Sequence, residues 1–150
     1  MQVSDNCLSI IREFEGFRSK PYLCPAGVPT IGYGSTRYAD GTPVKLTDQQ
    51  ITREQADEIM LTTLREYEAA VNRYVTVGIN QNQFDALVDF AYNAGAQSLR
   101  KSNLLKNLNN GNYTKAAAEF DKWVYGGGRK LAGLVRRRSA ERALFETAVA

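Results

Sequence analysis

The chain has 150 residues, 43% of them hydrophobic and 23% charged, with a net charge of +3, which suits one compact domain with its own core and excludes a disordered or low-complexity chain. No apolar run approaches the roughly eighteen residues of a membrane span, and the opening MQVSDNCLSIIREFEG has neither the basic region nor the continuous apolar core of a secretory signal, so a soluble protein made in the cytoplasm is expected. There is no His and there are two Cys, Cys7 and Cys24, which argues against a zinc site, a disulfide framework and Ser-His or Cys-His nucleophile pairs, so that no cofactor is expected and acid-base work falls to Glu, Asp, Lys, Tyr or Cys.

Leu8, Ile11 and Phe14 recur at helical spacing, with Ile10 widening the stripe, and predict a short amphipathic helix from Asp5 to Phe14 that Gly16 would stop. From Pro21 to Pro43 the period disappears and Gly, Pro, Thr and Tyr take over, the pattern of short strands and tight turns in one small antiparallel sheet. Thr52 with Gln55 forms a capping-box signal for a long helix, whose apolar face runs through Ala56, Ile59, Met60, Thr63, Tyr67, Val71 and Tyr74. Shorter helices are expected at Gln81 to Ala94, with Phe84, Leu87, Val88 and Ala91 inward and Gly95 as the stop, then at Ser102 to Asn109, Tyr113 to Val124 and Leu134 to Thr147. The GGG at 126–128 reads as a turn inside the helical part. The whole is an α+β chain with a small β lobe at about 17–50 and a larger helical lobe at about 75–150 plus the N-terminal helix, the long helix joining them beside a cleft.

Glu15 falls in the last turn of the first helix, where the helix end disfavours a second negative charge. A carboxyl held protonated near neutral pH can give its proton to a leaving oxygen, as glycoside hydrolysis requires, although most glutamates at helix ends are simply solvated. Between Arg129 and Arg142 stand six basic residues and one acid, Glu141, which favours an anionic surface. Arg136 and Arg138 are expected at that surface. The charge lacks the aromatic interleaving of a nucleic-acid groove, and no nucleic-acid partner is expected.

The spacing of EG at 15 and 16, PY at 21 and 22 and TIGYG at 30–34, followed by FDALVDFAYNAG, SNLLKNLNNGNY, AAAEFDKWVYGGG and GLVRRRSAERALF in that order, closely resembles the phage-type lysozymes, the endolysin family, over nearly the whole chain. That family has Glu, eight residues, Asp, five residues, Thr; the same count here meets Glu15, Cys24 and Thr30, with Cys24 where the aspartate is usual. The resemblance implies a lysozyme-like fold and a muramidase that cleaves the β-1,4 bond between N-acetylmuramic acid and N-acetylglucosamine in peptidoglycan. It implies Glu15 as general acid and Thr30 as a holder of the attacking water. Cys24 is a weaker base and a better nucleophile than a carboxylate, so it can order water, act as a base or attack the sugar; it can also be only a small buried residue.

By the same resemblance Tyr92 and Asn93 line the saccharide groove and Arg137 lies near the catalytic glutamate. Tyr92 at its helical spacing can equally be core, and the RRR run a solvated face. Tyr33 and Ser35 are weaker candidates, and the family commonly has His where Ser35 stands. Asp89, Glu119 and Asp121 are not expected to supply a second catalytic carboxylate. The resemblance further implies a monomer that leaves the host cytoplasm through a separate holin-type pore, acts on the wall from the periplasm and lyses the host. A lytic transglycosylase, or an inactive wall-binding protein, remains open, as does pairing of Cys7 with Cys24.

Overall fold

The computed structural model describes residues 1–149 and divides into two compact units, Ile11–Glu66 and Met1–Ile10 with Tyr67 onward. The boundary falls within helix α1 (Asp5–Glu15) and within helix α2 (Arg53–Tyr74).

The first unit holds strands β1 (Arg18–Leu23) and β2 (Pro29–Gly32), an antiparallel pair that aligns Tyr22 with Thr30 and Leu23 with Pro29. Beyond β2 the chain doubles back: Ile31 and Ser35 exchange both backbone hydrogen bonds, at 2.8 and 2.9 Å. Ile31, Tyr33, Val44, Ala56, Met60 and Leu64 bury the apolar side of this unit. The capping box expected at the start of α2 is formed, Gln55 N–H donating to Thr52 Oγ1 at 3.1 Å and Thr52 N–H to Gln55 Oε1 at 2.8 Å.

The second unit is helical: α3 (Gln81–Ala94), α4 (Ala96–Lys101), α5 (Asn103–Asn109), α6 (Tyr113–Glu119) running into a 3₁₀ turn at Phe120–Lys122, and α7 (Ala132–Phe145). Helix α3 has the bounds its pattern predicts. Asn80 caps it reciprocally with Gln83, and Gly95 at φ +104° ends it. Its burial exceeds an amphipathic stripe: Phe84 through Ala91 are all buried, Asp85 and Asp89 included. Helix α7 packs on it, and Phe90 meets Phe120 and Trp123 edge-on at 5.8 and 5.3 Å.

Several expectations are corrected. A second small β region exists: β3 (Tyr125–Gly126) pairs with β4 (Arg129–Lys130), and the helix expected as far as Val124 stops before it. Gly127 and Gly128, both at positive φ, make the two-residue turn that a helix could not have contained. Helix α4 had no visible period, since Leu99 alone is buried in it. Arg138 is not at the surface but 2% exposed, while Arg136 is exposed as expected. Arg137 is also buried, and Arg142 pairs with Asp121 and Glu146, which leaves Arg129, Lys130 and Arg136 as the exposed cations of that stretch with no ion pair among the described residues.

Four of the buried charged residues, Asp89, Arg137, Arg138 and Glu141, form one network. Arg137 grips Asp89 through Nε at 3.0 Å and Nη2 at 2.7 Å, and Arg138 Nη1 donates to Glu141 Oε1 at 2.6 Å. Burial first, and then the hydrogen bond to Asp89 and its charge, push the Glu141 carboxyl well above the usual range, with Arg138 opposing. Glu141 Oε2 meets no hydrogen-bond donor. A proton on that oxygen, donated to Asp89, satisfies both groups. A carboxyl whose value is raised by folding contributes most below the ordinary glutamate range, and that contribution is lost as pH climbs toward the raised value. Glu141→Gln keeps an acceptor for Arg138 and a donor for Asp89 at every pH. Its stability relative to the parent, from urea unfolding, should therefore grow as pH rises above the ordinary glutamate range.

Candidate active site

Glu15 is the last residue of α1, half-buried, and its position follows from the residue beside it and from a turn further on. Gly16 at φ +70° takes the chain out of the helix with its N–H on Arg12 O at 3.1 Å. The Glu15 carboxyl then lies against the backbone of Gly34: a Cβ on residue 34 would fall 2.8 Å from Oε1 and 3.1 Å from the carboxyl carbon. The TIGYG run is thus a wall that admits the carboxyl because it carries no side chain there.

Thr30 is buried in β2 and donates its hydroxyl proton to Val28 O at 2.8 Å, which leaves its lone pairs as acceptors. Cys24 opens the turn between the strands, its N–H on Val28 O at 3.1 Å and its C=O taking the Gly27 N–H at 2.8 Å. The backbone N–H of Val28 first, and that of Ala26 after it, hold the Cys24 thiol below the ordinary cysteine value against the opposing cost of burial. Peptide donors converging on a side chain favour an anion, whether carboxylate or thiolate. Cys7 differs: it is fully buried in the helical unit, where desolvation and then the charges of Asp89, Asp85 and Glu141 keep it a thiol. Both cysteines are free.

Tyr22, given no role by sequence reasoning, belongs with these three. It stands across the strand pair from Thr30, and Arg18 lies over its ring at 4.3 Å. Burial, then the charge of Glu15, and more weakly that of Cys24, raise its phenol, so its hydroxyl lies in the field of both. The strand register was the signal that could have found it. Tyr33 is buried, with its ring 5.7 Å from Phe17, and Ser35 is buried with a hydroxyl that has no partner.

Glu15, Cys24 and Thr30 all lie in the Ile11–Glu66 unit, and Tyr92, Asn93 and Arg137 in the other. Tyr92 is half-buried, edge-on to Tyr67 at 5.6 Å; Asn93 is exposed, and its Oδ1 accepts from Arg138 Nη2. Arg137 is the buried partner of Asp89 described above. Asp89 is thereby committed to the helical unit's network, and Glu119 and Asp121 pair with Lys122 and Arg142. Among the described residues no cluster of three His, Cys, Asp or Glu side chains is placed to hold a metal, and no helix is long and apolar enough to cross a membrane.

Residues 12–141 match the family model described as phage lysozyme. The chain is 40% identical to the endolysin of Acyrthosiphon pisum secondary endosymbiont phage 1 over 99% of its own length and 100% of that protein's. It is 41% identical to the endolysin of Bacillus phage B103, of which it spans 55%, about half. Among solved structures, an endolysin from Escherichia coli O157:H7 phage FAHEc1 superposes with a TM-score of 0.90 at 38% identity, over 99% of this chain and 96% of that one. The muramidase domain of SpmX from Asticaccaulis excentricus does so with a TM-score of 0.85 at 35% identity, over 98% and 99%. The chain belongs to the phage lysozyme family and is a lysozyme-type glycoside hydrolase.

Gly34 gives a direct test of the Glu15 wall. Gly34 and Gly27 share a positive φ, +79° and +77°, but nothing lies within 4 Å of a Cβ at 27. Each change to Ala should cost about 1–3 kcal/mol for the backbone strain alone. Gly34→Ala should exceed Gly27→Ala in urea unfolding, and Glu15→Ala in the Gly34→Ala background should recover the excess.

Proposed function

We propose that this protein is an endolysin muramidase that hydrolyses the β-1,4 bond between N-acetylmuramic acid and N-acetylglucosamine in peptidoglycan. The observation that carries the reading is local: Tyr22 pairs across the strands with Thr30 and feels the charges of both Glu15 and Cys24, so the three residues of the family spacing share one neighbourhood. Glu15 is the general acid for the departing sugar oxygen. Cys24 and Thr30 hold and activate water, Thr30 through the lone pairs its bond to Val28 leaves free. Tyr92, Asn93 and Arg137 serve substrate binding. In the phage cycle the enzyme, a monomer, reaches the wall through a pore made by another protein and lyses the host.

Glu15→Gln keeps the shape and removes the transferable proton, so release of reducing ends from purified peptidoglycan should fall by about 10²–10⁴ with unchanged thermal unfolding. Near-parental turnover would remove Glu15 as the acid, and anhydro-sugar ends in place of reducing ends would make the enzyme a transglycosylase.

The role of Cys24 separates by pH and by product. If the thiolate is the base, turnover should rise with pH to a midpoint below that of an ordinary cysteine, the direction in which the turn shifts this thiol. Cys24→Asp should retain or raise turnover and move that limb into the carboxylate range, while Cys24→Ser, which can still hydrogen-bond water, should keep partial activity. The first-formed product should have inverted configuration. A retained product from the parent would instead make Cys24 a nucleophile.

A further inference from the structure

The guanidinium of Arg138 carries five N–H donors and no acceptor, and at 2% exposure it has no room to turn. Each of its three nitrogens has an acceptor: Nε donates to Trp123 O at 2.9 Å, Nη1 to Glu141 Oε1 at 2.6 Å and Nη2 to Asn93 Oδ1, with the guanidinium carbon 4.9 Å from the Phe90 ring centre. Side-chain amides are ordinarily ambiguous between two orientations a half-turn apart. Here the ambiguity is removed, because only an oxygen can face a guanidinium nitrogen. Asn93 must therefore point its NH₂ away from Arg138, and Asn93 is exposed at the end of α3, with no acceptor for those hydrogens among the described residues.

We propose that Arg138 is a positioning residue that makes Asn93 a dedicated hydrogen-bond donor for the acetamido carbonyl of an N-acetylated sugar. The substrate class rests on the muramidase reading above; the polarity of the amide rests on Arg138 alone. An amide with both ends free can serve hydroxyl donors and acceptors alike. An amide whose oxygen is turned to Arg138 presents its two N–H groups outward and so reads acceptors first, and the N-acetyl carbonyl is the strong neutral acceptor that distinguishes wall glycan from a plain polysaccharide. Tyr92, held edge-on by Tyr67, is the neighbouring aromatic surface for the sugar or its methyl group.

The discriminating variant is Asn93→Asp. It keeps an oxygen for Arg138, now as a charge-assisted bond, and replaces the outward NH₂ donor by an acceptor oxygen, so the thermal midpoint should hold or rise. On soluble N-acetylated glycan fragments of peptidoglycan, KM should increase about tenfold or more, with the loss in KM rather than kcat. The parent should prefer N-acetylated over chemically N-deacetylated wall, and Asn93→Asp should lose that preference. Arg138→Lys, a point charge that cannot hold three directions, should lose it too, whereas a purely structural role would lower stability and leave the preference intact. Asn93→Asp with parental KM and parental preference would overturn the proposal. A binding measurement separates this outcome from failure of the muramidase reading: in NMR titrations the Asn93 side-chain amide signals should shift with an N-acetylglucosamine oligomer and not with the matching glucosamine oligomer. Binding of the acetylated oligomer with a silent Asn93 amide would sink the inference even if the enzyme hydrolyses peptidoglycan. An Asn93 shift without any turnover would support it while removing the enzymatic reading.

Discussion

Two carboxylates buried in the middle of α3 govern much of the helical unit. Asp85 and Asp89, one turn apart, have no measurable exposure, and a charge removed from water destabilises the fold by several kcal/mol unless partners replace the solvent. Asp85 takes the backbone N–H and the hydroxyl of Ser4 and the amide of Gln81, which pins the start of the chain to α3. Asp89 takes two of the donors of Arg137, which fixes α7 against α3 at that point. With α7 so fixed, Arg138 and Glu141 have no way out of the core, and Arg138 reaches the Trp123 carbonyl and the Asn93 amide. A side chain on the exposed end of one helix is thus oriented by electrostatic requirements at its centre.

Legibility in the sequence followed the physics of each element. Where a local signal suffices, the reading and the structure agree: the Thr52 and Gln55 box begins α2 and Gly95 ends α3. Where the outcome depends on what lies opposite, composition misleads. The arginine run looked like a solvated face because Asp89, its partner, is 48 positions away, and a count of charges cannot tell a paired cation from a free one. Part of the answer was local even so, since Arg138 and Glu141 stand at helical i, i+3 spacing. The short hairpin was also readable, because two glycines between two pairs of residues are the composition of a tight turn.

The candidate site divides along the same line. Glu15, Cys24 and Thr30 are candidates by the family resemblance, and each owes its setting to nearby backbone: a helix end, a turn and a strand. Tyr22 was missed because its relation to Thr30 exists only once the register of β1 on β2 is known, and a shift of one residue would turn it to the other face. Gly34 was part of the matching motif, but its reason, contact with a carboxyl 19 positions earlier, is three-dimensional.

The turn at position 24 carries a consequence for how such enzymes diversify. The donors that favour charge there are first the amides of Val28 and Ala26, which the main chain supplies, and then the hydroxyl of Thr30. Donors of this kind favour an anionic occupant, whether carboxylate or thiolate. Exchange between them alters basicity, nucleophilicity and sensitivity to oxidants in a single substitution. What such a turn preserves is the distance along the chain from Glu15 to position 24 and on to Thr30, and not the element that stands between them.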